Sequence, residues 1–294
     1  MVKASIALVT GSSSGIGFKT ALALARKGID TFATMRAPQK SDTIKRIAKE
    51  ENLPITVLKM DVNNDDSVRK VVKKIVDKVN RIDILVNNAG YGLFGALEDL
   101  TTKEIRNQFE TNYFGAVRAI KEVLPTMRKQ RLGVIVNVTS IAGVVGIPGE
   151  CIYCSSKFAL EGLSESISYE LRPYGIKVIL IEPGVINSNF VPNIKFPSLI
   201  DEKARSGKLR KNASFSHYSE TINAFLSHYY PLMKVAPSPS LVSKQILESV
   251  KIALSSPQFF FRYTVGEDSK SLAIAKRDMS DFQLHEFVTK RMLE

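Results

Sequence analysis

The sequence predicts a doubly wound α/β fold, a parallel sheet of about seven strands with helices on both faces. Three observations point there. Short runs rich in Val, Ile and Leu recur along the chain and read as strands buried on both faces. Longer segments with apolar residues at helical spacing lie between them. The first apolar run passes through a glycine turn straight into a helix, the opening of a right-handed crossover unit. No linker, low-complexity tract or repeat period divides the 294 residues, so a single domain over 1–294 is expected.

Val2 to Val9 (VKASIALV) is the first expected strand. TGSSSGIG, Thr10 to Gly17, follows, and then an Ala/Leu-rich helix, FKTALALARKG, stopped by Gly28. A turn lodged between this strand and this helix suits a dinucleotide pyrophosphate. Glycines let the backbone approach, and the helix N-terminus offers unpaired N–H groups and a positive dipole end. Gly11, Ser12, Ser13, Ser14, Gly15, Ile16 and Gly17 form the candidate cradle, spaced GxxxGxG rather than GxGxxG.

The second strand, IDTFATM, ends near Met35. The carboxylate that would bond a ribose 2′-hydroxyl there is missing, and Arg36 stands beside the place. A guanidinium fork suits a 2′-phosphate, and Ser12 and Ser13 are placed to add hydroxyl donors. The pattern favours NADP(H) over NAD(H); the alternative is Arg36 as a plain surface residue of the turn RAPQK. Ser41 to Asn52 predicts a helix and Ile55 to Met60 a third strand, ending in Asp61-Val62. Asp61 is placed to bond an adenine amino group or to cap the helix that follows, Asp65 to Val79.

Ile82 to Val86 is the fourth strand, closed by Asn87-Asn88-Ala89-Gly90, small and amide-bearing residues that suit close packing on a cofactor. A long helix is expected from Lys103 to Gln130, with Asn112 buried among apolar neighbours and in need of partners. LGVIVNVTS is the fifth strand and carries Ser140 to its carboxyl end, where open α/β sheets bind ligands. A helix over Ile152–Leu171 and a sixth strand over Ile176–Ile181 follow, the latter ending in Glu182-Pro183-Gly184. Beyond them lie a crossover helix, Ser240 to Leu254, a last strand near Gln258–Tyr263, and a charged, helical tail over Thr264–Glu294.

Tyr153 and Lys157 fall on one helix face about one turn apart. A free phenol is a poor base at neutral pH, and an ammonium held beside it favours the phenolate. A lone Tyr-x-x-x-Lys is common on helix surfaces, so the pair gains weight only from the motifs around it.

Composition sets broad limits. Hydrophobic content of 44% and charged content of 24% are ordinary for a globular chain. No apolar run is long enough to span a bilayer, and the N-terminus has no signal-peptide pattern, so a cytoplasmic protein is expected. The net charge of +12 attracts polyanions in general, but the cations are scattered apart from KARSGKLRK at Lys203–Lys211. No nucleic-acid motif accompanies them, and no nucleic-acid partner is expected. Cys151 and Cys154 form a CxxC without a second Cys or His cluster, which argues against a metal or a redox pair.

Taken in order, TGSSSGIG, Asp61, NNAG at Asn87–Gly90, Asn112, Ser140, Tyr153-x-x-x-Lys157 and Pro183-Gly184 resemble the short-chain dehydrogenase/reductase family. The match covers about residues 3–190, and YCSSKFALEGLSESISYELRPYGIKV with IEPG is most similar to the retinol dehydrogenase and 17β-hydroxysteroid dehydrogenase subgroup. The resemblance implies a Rossmann-type domain and an NAD(P)-dependent oxidoreductase. Tyr153 would be general acid or base, and Lys157 would lower its pKa and bond the nicotinamide ribose. Ser140 would hold the substrate oxygen, and Asn112 would anchor a water on the proton path. Val62, Asn88, Ala89 and Gly90 would line the cofactor, as would Pro183, Gly184, Val185, Ile186 and Ser188 near the nicotinamide. Direct hydride transfer needs no metal. The family's pairing through the helices of Asn112 and Tyr153 implies a homodimer or homotetramer.

The segment of about 187–237 is where such proteins select substrate. Its Phe190, Phe196, Phe215, Phe225 and Tyr229 suit a lid over an apolar alcohol or carbonyl, or the core of lid helices. The tail, about 264–294, is free to pack on that lid, to join copies or to touch a membrane surface. Two rival readings stand beside a retinoid-, steroid- or lipid-directed enzyme: an NAD(H)-dependent reductase of 3-oxoacyl or other small carbonyls, and a non-catalytic NADP sensor.

Overall fold

The computed structural model describes residues 5–188, 190, 193–198 and 216–294. The expected start of the first strand at Val2, the basic run Lys203–Lys211 and Phe215 lie outside them. Seven strands form one parallel sheet in the order β3-β2-β1-β4-β5-β6-β7. They are β1 (Ile6–Val9), β2 (Asp30–Met35), β3 (Ile55–Lys59), β4 (Ile84–Asn87), β5 (Gly133–Val138), β6 (Ile176–Pro183) and β7 (Arg262–Val265). The order reverses between β1 and β4, which opens a crevice beyond their carboxyl ends.

Ten helices complete the described elements: α1 (Gly15–Ala25), α2 (Asp42–Glu50), α3 (Asp65–Val79), α4 (Thr102–Phe109), α5 (Gly115–Gln130), α6 (Cys151–Leu171), α7 (Ser219–Val235), α8 (Pro239–Ser255), α9 (Glu267–Asp278) and α10 (Asp281–Met292). Strand alternation sorts the core into two layers. Ile6 and Leu8, with Leu85, Ile135 and Val178, meet Val68, Val72, Ile120 and Val123 of α3 and α5. Ala7 and Val9, with Val86, Val136 and Ile179, meet Leu24 of α1 and Val242, Ile246 and Val250 of α8. Each such Val, Leu or Ile side chain, once buried, contributes about 1.5–3 kcal/mol. The central strands β1, β4 and β5 are buried throughout, which is why they read as apolar runs, whereas the edge strands β3 and β7 are only partly covered. Among the described residues, no helix is long and apolar enough to cross a membrane.

Four expected boundaries shift. α1 begins at Gly15, so the last glycines of the turn are already helical. β4 starts at Ile84 because Asp83 belongs to the strand's entry, where it accepts from Ile6 N at 2.8 Å and pairs with Arg81. The helix expected over Lys103–Gln130 starts with a Thr101–Glu104 capping box and contains a π turn at Glu110–Phe114, around Asn112. β7 begins at Arg262 rather than spanning Gln258–Tyr263. Arg262 is gripped by Glu161 at 3.3 Å, Glu165 at 2.7 Å and Glu182 at 3.4 Å, and this fixes Leu180 opposite Arg262 in the register.

A polar chain crosses the core. Asn87 of β4 donates to Asn137 of β5 at 2.8 Å, and Asn137 donates to Ser164 of α6 at 2.8 Å. It seats α6 on the sheet. The expected helical tail exists as α9 and α10 beyond β7, and Leu272, Val288 and Met292 pack on Ile141 and Val145.

Candidate active site

The glycine turn leaves β1 at the switch point. Thr10 receives the N–H groups of Asn88 and Ala89 on its hydroxyl, each at 3.0 Å, and Asn88 Nδ2 donates to the carbonyls of Thr10 and Gly11 at 3.0 and 3.1 Å. Asn88 therefore clasps the turn from the β4 side. Gly11 has φ +67°, and a Cβ there would stand 2.8 Å from Ala89 Cα. A Cβ on Gly17 would stand 2.4 Å from Asn88 Nδ2. Gly17 is thus needed for packing and does not line the crevice. Ser12 departs from expectation as well: it is fully buried, and its hydroxyl donates to Val9 O at 3.0 Å. That hydroxyl is turned to the sheet and is not available to a phosphate.

Gly11, Ser13, Ser14, Gly15 and Ile16 do line a cleft of about 590 Å³, together with Arg36, Asp61, Val62, Asn88, Ala89 and Gly90. Ser14, the N-cap of α1, makes no side-chain cap, so the first N–H groups of the helix are left to whatever occupies the cleft. Asp61 does not cap α3; Asn64 does, accepting from Ser67 N at 2.7 Å. Asp61 Oδ1 instead accepts from Asn63 N at 3.0 Å. Lys40, at the end of a 3₁₀ turn, joins Arg36 at this end of the cleft. The sequence reading passed over it because nothing in RAPQK distinguishes Lys40 from any exposed lysine.

At the other end, Ser140, Tyr153 and Lys157 come together. Ser140 lies two residues past β5, its hydroxyl accepting from Ala142 N at 3.1 Å and donating to Pro183 O at 3.4 Å. Tyr153 and Lys157 project from the first turns of α6, both buried. Lys157 Nζ donates to Val138 O at 2.9 Å and stands 5.7 Å from the centre of the Tyr153 ring. Burial lowers the Lys157 pKa to about 8 against the pull of Glu161. Burial also drives the Tyr153 pKa well above that of a free phenol; Glu150 adds to the rise and Ser140 opposes it. The sequence argument expected the ammonium to depress the phenol, but Lys157 sits over the ring and is bonded to Val138, so burial prevails.

Asn112 is placed differently from the rest. Its Oδ1 accepts from Tyr91 N at 3.1 Å, and its Nδ2 donates to Tyr91 O at 3.0 Å and Ser156 Oγ at 3.2 Å. The amide ties the loop after β4 to α6 rather than facing the cleft. The gap between Asn112 and Lys157 is lined also by Asn87, Ala89 and Val138.

Pro183, Gly184, Val185, Ile186 and Ser188 complete the wall beside Tyr153. Asp268 of α9 pins this loop, accepting from Val185 N at 2.6 Å. A Cβ on Gly184 would lie 2.2 Å from both Asp268 oxygens. Phe190 faces Tyr153 with ring centres 5.7 Å apart, and Phe225 and Tyr229 of α7 lie 5.5 Å from each other. Ile147, Leu232, Leu272 and Met292 extend the apolar wall. Glu150, one of the carboxyls in the cleft, was not singled out from the sequence. Cys154 accepts from Ile147 N at 3.4 Å, and burial pushes its thiol up to about 12.

These features fit a dinucleotide: a glycine turn lining the cleft, with Gly11 at φ +67°, an uncapped helix start and cations at the far end. The comparisons agree. Residues 5–196 match the model of the short chain dehydrogenase family. A 3-ketodihydrosphingosine reductase of Bacteroides thetaiotaomicron is 45% identical over 188 residues, 64% of this chain and 66% of its own length. That alignment therefore stops at about two thirds of the relative. Human retinol dehydrogenase 8 is 34% identical over 97% of this chain and 89% of its own. The structure of ElxO with NADP bound superposes with a TM-score of 0.69 at 28% identity, covering 92% of this chain and 100% of that one. The chain belongs to the short-chain dehydrogenase family and is an NAD(P)-dependent oxidoreductase.

Proposed function

We propose that the protein interconverts an apolar alcohol and its carbonyl with NADP(H). One observation carries the reading: Ser140, Tyr153 and Lys157 meet at one end of a single cleft whose wall beside them is aromatic and aliphatic. A nicotinamide held along this wall would supply or accept the hydride. Tyr153 gives its phenolic proton to the forming alkoxide in reduction and takes it back in oxidation. Ser140 holds the substrate oxygen beside that phenol. Lys157, with its lowered pKa, is the group through which the proton is replaced.

The preference for NADP(H) rests on Arg36 and Lys40 at the end of β2, where no carboxylate stands. The rings of Phe190, Phe225 and Tyr229 favour an apolar substrate. Two relatives bear names of apolar alcohols or lipid ketones, which supports the same class. The proposal extends to one domain over 1–294, with the segment of 187–237 as lid and the tail of 264–294 as a further wall. Exposed Phe114, Phe158 and Tyr169 lie on the π turn and α6, which supports self-association through those helices.

The test is oxidation of NADPH and NADH, followed by absorbance, against retinoid, steroid and long-chain aldehydes and ketones and small 3-oxoacyl thioesters. NADPH-selective turnover of an apolar class is expected. Turnover of the small thioesters alone, with NADH, would replace this reading by the 3-oxoacyl one. Thermal stabilisation by NADPH with no turnover of any class would point to a sensor.

A further inference from the structure

Lys157 shares one face of α6 with Glu161 and Glu165, each one helical turn beyond the last. Glu161 is 6% exposed, and Glu182 of β6, which meets the same arginine, is 2% exposed. The 3₁₀ turn that follows Ser140 closes over the helix there: a Cβ on Gly143 would stand 3.0 Å from Glu161 Cγ and 3.2 Å from the Lys157 carbonyl. Arg262 Nε carries a single hydrogen. It lies 3.3 Å from Glu161 Oε2 and 3.4 Å from Glu182 Oε1. The shortest contact of the guanidinium, 2.7 Å, goes to Glu165 at the surface. Glu161 Oε1 and Glu182 Oε1 are both buried without a hydrogen-bond partner.

Pinning β7 does not require this arrangement. Arg262 and the exposed Glu165 already join β7 to α6, whereas two further carboxyls taken out of water are costly unless paired. The groups facing Glu161 are Lys157 from its own helix, Glu182 from β6, Arg262 from β7 and the hydroxyl of Thr139, whose hydrogen goes to Ile181 O at 3.0 Å. Among the described residues, Lys157 makes no ion pair; its ammonium is bonded to Val138 O, and the charge that supports it is that of Glu161. Burial works against that ammonium, so a carboxylate one turn away helps to keep it positive near neutrality.

We propose that Glu161 is a positioning residue for the reaction: its carboxylate, kept ionised by Arg262, holds Lys157 in the ammonium form through which the proton of Tyr153 is replaced. This rests on the reading of the cleft as an alcohol–carbonyl site. Glu182 meets the same arginine nitrogen but is not among the charges that act on Lys157, so it provides the control.

The experiment follows the Cε resonance of Lys157 against pH by NMR, in the full chain carrying lysine labelled with carbon-13 at Cε. The signal is assigned by its loss in Lys157→Met. The titration midpoint should fall by about one pH unit in Glu161→Gln, the lower end of what an opposite charge at this range exerts. Glu161→Asp keeps the charge but draws it back by one carbon, so its midpoint should lie between the two; it carries the test if Glu161→Gln does not fold. Glu182→Gln leaves the Glu161 charge in place and should not lower the midpoint. In NADPH-dependent reduction of the carbonyl class that is turned over, the alkaline limb of kcat should move to lower pH together with the midpoint. A midpoint unchanged in Glu161→Gln, or lowered equally in Glu182→Gln, would overturn the assignment, as would a limb that stays in place while the midpoint moves. If no carbonyl is reduced, the alcohol–carbonyl reading fails by itself, and the midpoints still decide whether Glu161 governs Lys157.

Discussion

Lys157 stands over the ring of Tyr153, its Nζ 5.7 Å from the ring centre and donating to Val138 O at 2.9 Å. The phenol is therefore governed by burial, which keeps it protonated far above neutrality. Reduction uses the protonated phenol and oxidation the phenolate. Oxidation should accordingly gain rate as pH rises from neutrality, while reduction should not.

Removing the hydroxyl isolates its role. Tyr153→Phe is expected to lower turnover by about 10²- to 10⁴-fold, the range of general acid–base catalysis. NADPH should still raise the melting temperature as in the wild type, because the glycine cradle is untouched. Near-normal turnover in this variant would exclude Tyr153 as the proton donor.

At the far end, Arg36 and Lys40 supply the positive charge assigned to the 2′-phosphate. Charge-assisted bonds contribute about 1.5–3 kcal/mol, so Arg36→Asp should shift the NADPH/NADH ratio of kcat/KM toward NADH by about 10- to 100-fold. Adding Lys40→Ala should move it further. An unchanged ratio would place the phosphate elsewhere, and Ser12 is not the place, since its hydroxyl is held by Val9 O.

Asp268 gives the tail a role that can be measured. It accepts from Val185 N at 2.6 Å and fills the space where a Gly184 side chain would be. Asp268→Ala leaves the loop after β6 unheld, and should cost about 1–3 kcal/mol in urea unfolding and raise KM for the cofactor. Gly184→Ala should do the same by pushing the carboxylate away. If both variants bind NADPH as the wild type does, the loop is held by other means.

Local chemistry made much of the fold and site readable. Strand runs, the glycine turn, Asn88, Ser140 and the Tyr153–Lys157 spacing all act within a few residues of the elements that carry them. What escaped depends on distant partners. The register of β7 is set by Arg262 meeting Glu161 and Glu182 across the sheet edge. The π turn at Asn112 accompanies bonds to Tyr91 and Ser156, on two other elements. Asp268, Leu272 and Met292 reach the cleft only because the tail folds back on Ile141 and Val145. Gly17 and Ser12 looked like cofactor contacts by position, yet packing against Asn88 and Val9 claims them.

Glu150 also predicts how stability varies with pH. Its folded pKa is raised to about 8 from the ordinary 4.5, because burial penalises the carboxylate. Below the unfolded value both states hold the proton, and Glu150 adds no pH dependence. Between about 4.5 and 8 the unfolded chain releases the proton while the folded chain keeps it, so unfolding is favoured as pH rises. The loss is on the order of 1.4 kcal/mol per pH unit across that window, and it levels off above it. Lys157, Glu161 and Glu182 are also shifted by burial, but they are common to the wild type and Glu150→Gln and cancel in the difference. Urea unfolding of both proteins across pH should therefore give a difference that is flat in acid, grows in favour of Glu150→Gln through neutrality, and is flat again in alkali. A difference that does not change with pH would mean that the carboxyl is solvated or paired in the folded chain.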